Sequence, residues 1–134
     1  MRGRRPNRSK PEEPQWVVGA AYVKLTGVTF EGRQEVISTL TPGDALLMVR
    51  DPTNKWDPNA IAVSTSPAHD DLGPRQVGYI PGSLAAMLAP WVDSKAYDPV
   101  VTVSSVKGSS GSKGVVIHLD PPLPVVVEAK HVYQ

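Results

Sequence analysis

One stretch constrains this chain more than any other: residues 51–63, DPTNKWDPNAIAV. An apolar run, Ala45-Leu46-Leu47-Met48-Val49, leads into it, and Ala60-Ile61-Ala62-Val63 leads out. Between the runs stand two prolines, two asparagines, two aspartates, a lysine and a tryptophan. Proline presets φ, and Asx side chains bond nearby backbone, so the stretch reads as strand, shaped loop, strand. Loops on a rigid scaffold carry function. Trp56 beside Asp57 offers a ring that can stack on a flat group and a carboxylate that can accept a hydrogen bond from a hydroxyl.

The rest of the chain reads mainly as short strands. Trp16 to Leu25 is β-branched and aromatic, and reads as a first strand. Val28-Thr29-Phe30 looks like a short strand closed by a turn at Glu31-Gly32. Arg33 to Leu40 fits either a strand or one to two helical turns, with Val36, Ile37 and Leu40 favouring a helical face. Further strands are expected near 45–50, 60–65 and 75–80, then from Pro99 to Val106 and Val115 to Leu119, with an edge strand at Val125-Val126-Val127. Ser83 is placed to cap a helix from Leu84 to about Val92. Its apolar positions Leu84, Met87, Leu88 and Trp91 have the spacing of one buried face, with Pro90 disturbing the last turn. About six short strands with one or two short helices and frequent turns point to a mostly β fold, a small barrel.

Length suggests one domain with a real core. Charge separates a tail from a body. Residues 1–14 carry five basic against two acidic side chains, a net of +3, and almost nothing apolar. They read as a disordered basic tail, with residues 15–134 as the domain. That body holds nine Lys and Arg against eleven Asp and Glu, a net of −2. Any contact it makes with nucleic acid is therefore local, not a general phosphate coat. The absence of cysteine excludes disulfides and thiolate metal sites. No apolar run is long enough to span a bilayer and no signal region follows the basic start, so the expectation is a cytoplasmic protein without membrane contact, nucleoid-associated in a bacterial host.

Catalytic chemistry has little support. His69-Asp70-Asp71 lies in a loop, and His118 and Asp120 share a strand face without a third convergent ligand. The segment KGSSGSKG at 107–114 lacks the order of a phosphate loop and no helix follows it, so it reads as a hairpin tip. No nucleophile elbow is present. Neither a metal, a cofactor nor a catalytic residue is expected.

Three segments remain: GVTFEGRQEV at 27–36, RDPTNKWDPNAIAV at 50–63 and QVGYIPGSLAAMLAP at 76–90. In this order they resemble the HIRAN domain, over about Tyr22 to Val92. HIRAN domains occur in SNF2-type DNA translocases of replication-fork remodelling and as small stand-alone proteins of bacteria and phages. The resemblance implies an OB-like barrel. It also implies binding to the 3′ end of single-stranded DNA, in DNA repair or fork processing. By motif position, Asp57 would read the free 3′-hydroxyl and Trp56 would stack beside it. Asn54 and Asn59 would hold the loop, and Phe30 and Tyr79 would supply further rings. Two positions depart from the end-binding relatives: Thr29 stands where they tend to carry a basic residue, and Tyr79 where they can carry histidine. Arg33, Arg50 and Lys55 are then the cations available for phosphate. The implied function is a non-enzymatic DNA-binding module. Its rivals are an adaptor for a separately encoded helicase or nuclease partner and a metal-dependent nuclease built on Asp57.

Overall fold

A computed structural model of the chain describes residues 16–17 and 19–128. The expected basic tail and the boundary after residue 14 lie outside these residues. The strands are β1 (Trp16–Val17), β2 (Tyr22–Lys24), β3 (Ala45–Arg50), β4 (Ile61–Thr65), β5 (Gln76–Tyr79), β6 (Val100–Lys107), β7 (Gly114–Asp120) and β8 (Val127–Glu128). Helix α1 (Arg33–Ile37) follows β2, and α2 (Gly82–Asp93) follows β5.

Six strands form one antiparallel sheet in the order β2-β7-β6-β3-β4-β5. Alternation decides which face is buried. In β4, Ile61, Val63 and Thr65 point into the core while Ala62 and Ser64 are only half-buried. Pairing then carries this face across the sheet: Val63 lies opposite Met48, and Leu46 opposite Val101. The core fills with Ile37, Ile61, Ile80, Leu84, Leu88, Ile117 and Leu119. A separate two-stranded ladder joins β1 to β8.

The expected small barrel is realised as a six-stranded sheet whose rim is not closed by a continuous ladder. Among the described residues a single antiparallel bridge, Thr26 with Tyr79, links the continuation of β2 to β5. Gly78 makes this approach feasible. A Cβ there would stand 2.7 Å from the Thr26 carbonyl oxygen, closer than real side chains come.

Other expectations need correction. Val28-Thr29-Phe30 is a turn, not a strand. Its carbonyls are spent locally: Phe30 accepts from the Arg33 amide at 3.0 Å, and Val28 accepts from Gln34 Nε2 at 2.9 Å. The first strand is split, with Gly19 at φ 65 between β1 and β2. The edge strand appears at β8, shifted toward the C-terminus. Of the two readings of 33–40, the helical one is observed, shortened to α1.

Helix α2 begins one residue ahead of Ser83, with Pro81 at the N-cap position, so Ser83 lies inside its first turn. Its buried face is also rotated. Leu84, Ala85, Leu88 and Ala89 are buried, whereas Met87 and Trp91 are each 41% exposed. The alanines are small enough to bring the helix close to its neighbours, so the stripe turns toward them. Pro90 is exposed and the helix continues past it. Among the described residues no helix is long and apolar enough to cross a membrane.

Candidate nucleic-acid interface

The loop between β3 and β4 is closed at its neck by the Asp51 amide, which donates to the Ala60 carbonyl at 3.0 Å. Within it Asn54 is the hub. Its Oδ1 accepts from the amides of Trp56 (2.9 Å) and Asp57 (3.0 Å), an Asx turn of the kind its composition predicts. Its Nδ2 faces Asp51 Oδ2 at 3.3 Å and the Tyr79 hydroxyl at 3.4 Å, and that hydroxyl donates to Asp51 at 3.4 Å. Asp57 Oδ1 accepts from the Asn59 amide at 2.9 Å. So tied, the loop holds Trp56 out into solvent, 85% exposed. Lys55 Nζ lies 5.1 Å from the centre of its ring.

Two adjoining clefts flank that tryptophan. The larger, about 460 Å³, is lined by Phe30, Trp56 and Tyr79 together with Gly27, Glu31, Arg33, Asn54, Lys55 and Gln76. The smaller, about 250 Å³, is lined by Asp57 with Thr26, Ala60, Ile80 and Gly82, and shares Asn54, Trp56 and Tyr79 with the first. Asp57 sits against the first turn of α2: a Cβ on Gly82 would be 3.7 Å from its Oδ2. Phe30 is 63% exposed. Arg33 forms part of the larger cleft from a buried position. It donates to the Gly27 carbonyl, lies 5.2 Å from the centre of the Tyr79 ring, and approaches Glu31 at 3.9 Å. Such a cation beneath an aromatic wall places positive charge in the cleft without a mobile side chain.

The three segments singled out in the sequence therefore meet. Phe30, Arg33, Asn54, Lys55, Trp56 and Tyr79 share the larger cleft, and Asp57 lies across the common wall. Arg50 and Asn59 line neither. The Arg50 guanidinium instead donates to Asp93 and to the Ala60 carbonyl, each at 2.8 Å, pinning the loop base to the end of α2. Gln76, Thr26 and Gly82 line the clefts without having been named as contacts, since nothing local marks such a residue as facing a cleft. The hairpin 108–113 is anchored beside the site: the Gln34 amide group donates to the Lys113 carbonyl at 2.9 Å and accepts from its amide at 2.8 Å.

The histidines in the described residues lie elsewhere. His69 contacts Thr39, 2.8 Å from Nε2, and approaches Asp44, while His118 packs on Tyr22. Among the described residues no three His, Asp or Glu side chains gather as a metal site.

The HIRAN domain profile matches residues 18–119. Two solved structures share the fold. The HIRAN domain of human HLTF is 24% identical, with 75% of this chain and 73% of that chain covered and a TM-score of 0.56. A protein from Lactobacillus plantarum is 21% identical, with 80% and 98% covered and a TM-score of 0.56. No curated protein sequence matches the chain. Since the matched span takes in both helices and nearly all of the six-stranded sheet, the chain belongs to the HIRAN domain family, a family of DNA-binding domains.

Proposed function

We propose that the paired clefts bind the 3′ end of single-stranded DNA and that the domain acts by binding alone, in repair or replication-fork processing. The observation that carries this reading is the convergence of three rings, Phe30, Trp56 and Tyr79, on one cleft with the Asp57 carboxylate just across their shared wall. A base stacked on an aromatic ring gains about 1–3 kcal/mol whatever its identity. The larger cleft then takes a base against Phe30 or Trp56, and the terminal sugar enters the smaller one. There Asp57 accepts the hydroxyl proton. A 3′-phosphate, or a strand continuing onward, would bring an anion against that carboxylate and be rejected. Lys55 and the buried Arg33 supply the compensating positive charge, and a body of net −2 suits recognition of an end better than coating of a long strand.

Fluorescence polarisation with labelled oligonucleotides ending in 3′-hydroxyl or 3′-phosphate tests this directly. The wild type should prefer the hydroxyl. Asp57→Asn keeps an acceptor for the Asn59 amide but removes the charge, and should level the two ligands. Trp56→Ala should weaken both by roughly tenfold or more. Equal wild-type affinity for the two ends would overturn the role of Asp57. No binding to any oligonucleotide would point to a protein partner.

A further inference from the structure

The solvent face of the sheet continues away from the clefts along β2. Its side chains alternate without a break: Val23 and Leu25 are buried, while Tyr22, Lys24 and Thr26 face outward. Thr26 pairs directly with Tyr79, and both line the smaller cleft, so this row starts at the wall of the candidate site. A strand advances about 7 Å for every two residues, which puts Lys24 about 7 Å and Tyr22 about 14 Å from Thr26. At the far end Tyr22 lies opposite His118 of β7, with ring centres 5.0 Å apart and planes tilted by 56°. Between them the Lys24 chain passes over Gly114, whose Cβ, if present, would lie 3.3 Å from Lys24 Cε.

Neither ring of this pair serves the core, which lies on the opposite face. Tyr22 is 41% exposed. The row thus carries a cation and then an aromatic pair, in line with the cleft. This is the pairing of phosphate neutralisation and stacking that a single strand requires.

We propose that the Lys24 and Tyr22–His118 row is a second contact site for single-stranded DNA, taking nucleotides on the 5′ side of the bound end. Lys24 neutralises a phosphate, and a base stacks on the exposed edge of the Tyr22–His118 pair. The inference rests on the end-binding reading above, because it takes the cleft as the place where the strand terminates.

Oligonucleotides of about four and about ten nucleotides with the same 3′ end separate the two sites. The wild type should bind the longer one more tightly. Tyr22→Ala should remove roughly tenfold of that gain, and Tyr22→Phe should retain it. Lys24→Ala should lower the slope of log affinity against log salt by about 0.7 for the longer ligand. None of the three should alter binding of the shorter one, and thermal melts should confirm that these exposed substitutions leave the fold intact. A length-dependent gain that survives in Tyr22→Ala and Lys24→Ala, or no gain at all, overturns the second site while leaving the cleft reading in place. Loss of the 3′-hydroxyl preference with the gain still dependent on Tyr22 would overturn the cleft reading instead.

Discussion

Asn54 accepts from two consecutive amides, and its own amide nitrogen reaches Asp51 and the Tyr79 hydroxyl. It thereby links the ring that faces solvent, the carboxylate beside it and the tyrosine on the opposite wall. Asn54→Ala leaves two amides without their acceptor and should lower stability by about 1–2 kcal/mol, as loss of a capping side chain does. Affinity for single-stranded DNA should fall further than that of a core variant of equal melting temperature, because the Trp56 ring loses its fixed direction. Binding and melting curves measured on both variants check this. At this scale the loop residues were legible because Asx-turn chemistry involves neighbours in sequence. Arg50 was not. Its partner Asp93 lies 43 residues away, and nothing in the RDP motif announces that the guanidinium is already engaged.

Among the described residues, Thr26 and Tyr79 form the one backbone bridge between the two outer segments of the sheet, with both amides donating, at 2.8 and 2.9 Å. Gly78→Ala places a methyl 2.7 Å from the Thr26 carbonyl oxygen and 3.1 Å from Val28 Cγ1. A backbone atom cannot swing aside as a flexible side chain does, so the bridge must open. The expected cost is about 1–3 kcal/mol, read as a lower melting temperature, with a parallel loss of DNA binding as the clefts' shared wall shifts. Element identity was partly legible here. Strands β3 and β4 follow from apolar runs bounded by turn residues, and β6 and β7 from partly alternating segments either side of a glycine- and serine-rich turn. The rotation of α2 did not follow, because Met87 and Trp91 outweigh alanine in any hydrophobic count, whereas close packing selected Ala85 and Ala89.

Charge is a property of the whole molecule. The first fourteen residues bring a net of +3 to a body of net −2. Their deletion should weaken DNA binding at low salt and flatten its salt dependence, while leaving the ratio of 3′-hydroxyl to 3′-phosphate affinity unchanged, since Asp57 belongs to the body. Titrations at several salt concentrations on the full and shortened chains test this. By itself the sequence determined the shaped loop between β3 and β4, the exposed Trp56 with Asp57 beside it, and the family through its three ordered motifs, because turn chemistry and strand alternation act between near neighbours. Only the tertiary structure decided that Asp57 and Phe30 occupy separate clefts joined at Trp56 and Tyr79, that Arg50 serves as a strut, and that Tyr22 and His118 extend the same face. Those outcomes depend on strand order and register, which are set by contacts between residues far apart in the chain.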